Sequence, residues 1–443
     1  MTTPRPAWKP LLLFIGFAAL CLLQAYLHRH HEFLLVGGIS ASSLDQLSVH
    51  YPHAYTYDND LDNQPLHVEA YHLGRIAYLF AARFQYDKYY SLFVSYPPDQ
   101  YRLMLPFLAS FLLPWLSLKN AYLVVNALIW GLASLCVCWL GGHLFGSRRA
   151  GLIAGLLYAT SYAVITVSAS QKGELMQLTV PAVLIALSFY LGHFRPPSAP
   201  RQLWDSFALG VAAGVGMFAG GATPYLLAFL LLYGLFTLNL SAYLKRNAVF
   251  AAGLLAVYLA ITPFIRQIES QTVFGLLRQS AAGITPAFLW TCFKTRLVGH
   301  FIYAIPLPLW LGAAGGLYRI RRAQLVPLAC MFAMYAVSEA IMTAAQGRQC
   351  SAMTINYYYL QILLPVYLLT ARALDILLQT GRALFVRRAA ALVWLALILF
   401  ISQLGLLGNY YYTYQGYRPT SPQVLYHAFF TYDNLGLNSN PPR

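Results

Sequence analysis

The sequence predicts an all-α polytopic membrane protein with about 11 transmembrane helices, and three observations predict it. Of the 443 residues, 59% are hydrophobic and 10% charged, and mean hydropathy is +0.55; water-soluble globular chains carry roughly 25% charged residues. Apolar runs of about 20 residues recur from end to end, the length a helix needs to cross a hydrocarbon layer roughly 30 Å thick. The basic residues stand in small clusters between those runs, the pattern that orients helices in a membrane. The net charge of +15 therefore reads as an orientation signal and does not point to nucleic acid. No stretch is long and polar enough for a separate soluble domain, so residues 1–443 read as a single membrane domain with elaborated loops.

Taken in order, Arg5 and Lys9 precede an apolar run at 11–27. No Ala-x-Ala cleavage pattern follows; His28-Arg29-His30-His31 does, a charged girdle ending an uncleaved first span whose N-terminus is cytoplasmic. Residues 28–104 then form a first outer loop. Within it Leu66, Ala70, Leu73, Ala77, Phe80 and Phe84 alternate at spacings of four and three, one face of a helix lying on the membrane surface. Asp62 or Asn63 would cap that helix and Pro65 would open it. Residues 103–118, broken by Pro106 and Pro114, are short for a span and read as a second interfacial or partly inserted helix.

Further spans are expected near 122–145, 150–169, 175–192, 204–221, 224–243, 247–265, 299–318, 324–345, 357–378 and 389–408, with residues 409–443 as an outer tail. This alternation places Arg148 and Arg149; Arg195 and Arg201; Lys245 and Arg246; Arg319, Arg321 and Arg322; and Arg382, Arg387 and Arg388 on the cytoplasmic side. It also sorts the 14 acids. Asp205 and Asp375 fall on the cytoplasmic side and Glu339 inside a span, while the rest are outer, so the active face is expected outside the cytoplasm. Cys21, Cys136, Cys138 and Cys330 lie in apolar runs as small apolar residues. Cys292 and Cys350 fall near outer loops, where pairing is chemically open in an oxidising compartment.

The densest acidic feature is Tyr57-Asp58-Asn59-Asp60-Leu61-Asp62-Asn63-Gln64. Asp58, Asp60 and Asp62 suit a capped, solvated turn. They equally suit a general base that takes a proton from an attacking hydroxyl, or oxygen ligands for a divalent cation. Glu174, in the outer turn Ser170-Gln171-Lys172-Gly173-Glu174, favours a helix N-terminus and returns a second acid to the same side. Arg102, Lys294, Arg296 and Arg348 are outer cations: snorkelling side chains, or groups that would hold a lipid-linked phosphate and stabilise its charge on departure. Glu339 is an intramembrane acid, a functional candidate or a satisfied buried group. Glu69-x-x-His72 is half of a di-iron helix pattern without a second copy. The Tyr triplets at 357–359 and 410–412 read as interfacial belts. No Walker, Rossmann or zinc-binding pattern occurs.

The order of features, a short inner tail, one span, a large acidic outer loop and then many spans, resembles the GT-C superfamily of polytopic glycosyltransferases. Tyr57-Asp58-Asn59 and Asp62-Asn63-Gln64 each partly match a Tyr-Asp-Gly-Gln motif of that superfamily. Tyr101-Arg102-x-x-Leu105-Pro106 is similar to the segment opening its next hydrophobic stretch, and Phe145-Gly146-Ser147-Arg148-Arg149-Ala150 to its inner turn. Glu174 matches its second-loop acid; Thr223-Pro224 and the segment from Asn356-Tyr357 to Pro365 resemble later landmarks. The motif here is not a clean Asp-Gly-Gln and offers two registrations.

The resemblance implies an inverting transfer of a sugar from a polyprenyl-phosphate donor to a lipid, glycan or protein acceptor on the outer face of a bacterial inner membrane. Asp62, or Asp58, would be the catalytic carboxylate, and Glu174 would assist the acceptor or, with Asp60, hold magnesium or manganese. Arg102, Arg348, Lys294 and Arg296 would bind the donor phosphate. The expected partners are the lipid-linked donor, membrane lipid, the acceptor and a further membrane subunit. Two other classes stay open: a flippase for lipid-linked sugars, which calls for inverted repeats and polar groups along a midplane path, and a noncatalytic subunit of a larger complex built on the same scaffold.

Overall fold

A computed structural model describes residues 8–36, 104–116, 118–161, 174–195, 201–217, 222–261, 307–345, 360–379 and 386–400, with Thr285, Ala287 and Trp290 besides. All regular secondary structure among the described residues is helical. In chain order the helices are α1 (Trp8–Val36), α2 (Met104–Ser110), α3 (Leu118–Phe145), α4 (Arg148–Ala159), α5 (Glu174–Tyr190), α6 (Arg201–Gly216), α7 (Ala222–Thr237), α8 (Leu240–Ile261), α9 (Leu307–Gly316), α10 (Arg322–Ala345) and α11 (Leu360–Gln379). A last helix, α12, covers 386–400. Apart from α2, each overlaps one of the expected spans.

By length and apolarity together, one described stretch passes as a membrane span: Asn120–Phe145 within α3, 26 residues with a hydropathy of 2.1. At 1.5 Å per residue it is about 39 Å long, enough to cross with some tilt. Pro10–Ala25, Thr179–Tyr190 and Arg322–Met334 are shorter apolar helices. Large apolar side chains face outward on many helices, among them Leu11 and Leu12 on α1, Leu235 and Phe236 on α7, Leu259 on α8 and Val393 on α12. A surface so apolar is one that lipid covers without penalty and water does not.

The central helix is α3, which packs against α1, α2, α4, α5 and α11. Its buried face includes Tyr122, Trp130, Val137 and Leu140. Small residues let the backbones close up, as they do where lipid offers no hydrophobic drive for helix association. A Cβ on Gly155 of α4 would lie 2.7 Å from Cys138 Cβ and from Phe17 Cζ, and one on Gly131 of α3 would lie 2.7 Å from Ala18 Cα of α1. The same device joins α6 to α8, where a Cβ on Gly214 would meet Val257 Cβ at 2.7 Å.

The turn between α3 and α4 follows from its sequence. Gly146 takes φ +66°, a left-handed conformation that glycine adopts without steric cost. Ser147 caps α4 by accepting from the Ala150 N–H.

The other end of α4 departs from expectation. The anticipated span 150–169 would have been long enough to cross, yet the helix ends at Ala159 after 12 residues, about 18 Å. Thr160 Oγ1 donates back to Leu156 O at 2.8 Å, and the carbonyls of Tyr158 and Ala159 accept from Trp130 Nε1 and Gln24 Nε2. Side chains from two other helices take the carbonyls that a longer helix would have used. The expected helix at 103–118 is likewise shorter: α2 gives way to a turn over 111–116, with Leu105 and Ala109 buried against α3.

Candidate functional site

Two ends of the helix bundle differ in chemistry. At the first end α3 and α5 finish together, with His143 and Phe189 rings 5.9 Å apart. Gln324, in the first turn of α10, donates to Leu144 O at 3.1 Å. Arg372 Nη2 donates to Tyr318 O and Arg319 O in the turn between α9 and α10, and its guanidinium stands 5.8 Å from the Phe145 ring centre. Arg148, Arg149, Arg195, Lys245, Arg246, Arg319, Arg321, Arg322, Arg387 and Arg388 all lie in the turns or helix starts of this end. It is the end read from sequence as cytoplasmic, and Asp205 and Asp375 lie there as expected.

Its most elaborate contact is a clasp. Arg246 of α8, 1% exposed, donates to Arg195 O, Gln202 O and Ser206 Oγ, tying the α5–α6 turn to α8. Ser206 Oγ is 3.1 Å from His193 Nδ1. A hydroxyl oxygen has two lone pairs, so with Arg246 on one of them either the hydroxyl or a ring N–H supplies the hydrogen between Oγ and Nδ1, according to the tautomer. Burial, and then the charge of Arg246, push His193 down to about 4, so the ring is neutral near pH 7. Four guanidinium hydrogen bonds and a neutral, enclosed imidazole make this a structural joint between the α5–α6 turn and α8.

The opposite end is where α1 runs out towards residues 37–103 and where α3, α5 and α11 begin. A knot of uncharged hydrogen bonds holds it together. Gln24 Nε2 of α1 donates to Ala159 O at 3.0 Å, Trp130 Nε1 of α3 donates to Tyr158 O at 3.1 Å, and Ser161 Oγ meets Tyr367 Oη of α11 at 2.7 Å. The Tyr158 and Tyr367 rings sit edge to face, 6.3 Å apart. Three helices, α1, α3 and α11, thus converge on the end of α4, and the knot fixes the point from which the chain leaves at Ser161.

Glu174 is the first residue of α5, where a carboxylate gains from the helix dipole, and α5 starts at this same end. Asp58, Asp60, Asp62, Arg102, Lys294, Arg296 and Arg348 lie outside the described residues, as do Cys292 and Cys350. Glu339 falls within α10. Among the described residues no group of three His, Cys, Asp or Glu could hold a metal ion. Cys21, Cys136, Cys138 and Cys330 are free thiols within apolar helices.

The residues that sequence reasoning passed over are Gln24, Asn126, Trp130, Ser161 and Tyr367. For Gln24 and Asn126 the signal was available: an amide inside an apolar run needs a partner that lipid does not supply.

Comparison with known proteins completes the picture. No protein-family model matches the chain, and no curated protein matches it. Among solved structures it is similar to the Archaeoglobus fulgidus oligosaccharyltransferase in its apo form, at 13% identity and a TM-score of 0.47 over 99% of this chain and 62% of that one. It is similar also to the archaeal oligosaccharyltransferase AglB from Archaeoglobus fulgidus in complex with an inhibitory peptide and a dolichol-phosphate, at 14% identity and a TM-score of 0.46 over 99% of this chain and 61% of that one. The chain spans about three fifths of the length of these two proteins.

Proposed function

We propose that the chain is an inverting membrane glycosyltransferase that moves a sugar from a polyprenyl-phosphate donor to an acceptor on the non-cytoplasmic face. The observation that supports this reading is where Glu174 stands relative to the described cations. Glu174 opens α5 at the end where α1 runs out towards Asp58, Asp60 and Asp62, while the described cationic side chains gather at the other. With eleven spans, a cytoplasmic N-terminus and an outer C-terminus in a bacterial inner membrane, the acids meet a lipid-linked substrate outside the cytosol.

In the reaction, Asp62, or Asp58 in the alternative registration, takes the proton from an acceptor hydroxyl. The acceptor oxygen bonds to the first sugar carbon from the face opposite the phosphate. The bond from that carbon to the phosphate oxygen breaks, and the polyprenyl phosphate departs. Arg102 and Arg348, with Lys294 and Arg296, hold the phosphate and stabilise the charge it gains. Glu174 orients the acceptor. Asp60 and Glu174 are oxygen donors of the kind magnesium and manganese accept, and a cation held there would help to neutralise the departing phosphate.

The test is transfer itself. Purified protein in detergent, given radiolabelled polyprenyl-phosphate sugars and membrane extract as acceptor, is expected to move label into a lipid, glycan or protein fraction. Label that stays on the donor with every sugar tried would reject the reading.

A further inference from the structure

Asn126 of α3 is 0% exposed, and neither its Oδ1 nor its Nδ2 has a hydrogen-bond partner. Inside a helix bundle, a buried amide with both ends unmatched is destabilising, whereas a satisfied one is mildly stabilising. The knot around it shows that the same region elsewhere satisfies its polar groups. Trp130, one turn along α3, and Gln24 of α1 both find carbonyls on α4, and Ser161 finds Tyr367. Asn126 lies about 6 Å from Trp130 along the α3 axis, on the side away from the basic end. At that level α4 has already ended at Ala159, so no helix carbonyl of α4 is left to meet the amide.

From this we infer that Asn126 is a recognition residue, and that the ligand group it takes is a neutral hydroxyl: that of the donor sugar. The assignment rests on the proposed glycosyl transfer. A carboxamide offers one acceptor and one two-hydrogen donor without charge, the match for a hydroxyl that both gives and receives. An uncharged amide does not balance a buried phosphate, and the proposed reaction already gives the phosphate to Arg102, Arg348, Lys294 and Arg296. Asn126 holds the sugar, and the phosphate is left to the cations of the outer loops.

The test pairs stability with selectivity. Asn126→Leu replaces the amide by an apolar group of comparable size. If the amide is waiting for a ligand, the variant melts at or above the wild-type temperature and loses transfer by tenfold or more. Wild-type protein discriminates against a donor lacking the recognised sugar hydroxyl, and Asn126→Ala shrinks that discrimination at least tenfold, through KM or kcat. Three results would overturn the inference while wild-type transfer persists: a variant that melts several degrees lower, which marks a structural partner; transfer by Asn126→Leu at the wild-type rate; or discrimination unchanged in Asn126→Ala. Wild-type protein that transfers no sugar would instead overturn the functional reading and the sugar assignment with it.

Discussion

The hydrogen bond between Ser161 and Tyr367 offers a quantitative test of the knot. Both groups are buried, at 1% and 4% exposure, and their oxygens are 2.7 Å apart. Tyr367→Phe leaves Ser161 Oγ without this partner, and Ser161→Ala does the same to Tyr367 Oη. Each single change orphans a buried hydroxyl, for about 1–3 kcal/mol. The double variant removes both groups and leaves neither orphaned, so it should cost little more than the worse single variant. The difference, read as a double-mutant coupling, is expected near 1 kcal/mol, since interhelical bonds in membrane bundles average about 0.6 and reach about 1.7 kcal/mol. Reversible unfolding of the wild-type, single and double variants in one detergent mixture measures it. Because Ser161 also anchors the chain leading to Glu174, both single variants are expected to lower kcat. Stability effects additive within about 0.3 kcal/mol would show that the two side chains act independently, and the knot would then have no energetic content.

Three other outcomes are expected. An unfolded histidine titrates near 6.5 and folded His193 near 4, so the unfolded chain binds the proton first. Stability from its neutral burial is therefore full above pH 6.5, falls by up to about 3 kcal/mol as pH drops towards 4 and then levels off; a melting-temperature profile that is flat over this window in wild type, or unchanged in His193→Phe, refutes it. Gly155→Ala forces a Cβ to within 2.7 Å of Cys138 Cβ and is expected to cost about 1–3 kcal/mol, whereas Gly16→Ala, with nothing within 4 Å, should be neutral or mildly stabilising in the same melt. Introduced singly into a cysteine-free background, Asn59→Cys should react with an impermeant thiol reagent in intact cells and Ser147→Cys only after lysis; the reverse pattern would invert the membrane orientation.

Much of the helical layout was legible in the sequence because apolar periodicity and basic punctuation are local signals. The Phe145-Gly146-Ser147 turn, with a glycine that takes φ > 0 and a serine cap, could be read from three residues. What could not be read was where α4 stops. That point depends on Gln24 and Trp130, 135 and 28 residues away from the carbonyls they hold. The Arg246 clasp was invisible for the same reason, since Lys245-Arg246 reads as an orientation pair until the α5–α6 carbonyls are brought beside it. In the site, Glu174 was legible as an acid opening an apolar helix, and α5 begins there. Asn126 carried a readable signal, an amide in a long apolar run, but its isolation becomes evident only once its neighbours have paired elsewhere.

The central claim is that a carboxylate of the first outer loop performs the transfer. Asp58→Asn and Asp62→Asn, made separately and purified beside wild type, remove one charge each while keeping size and shape. Assayed with labelled polyprenyl-phosphate sugar at equal folded concentration, one of the two is expected to lose transfer by a factor of roughly 100 or more, the scale on which a general base contributes, while the other keeps most of it. Full transfer by both variants would contradict the account.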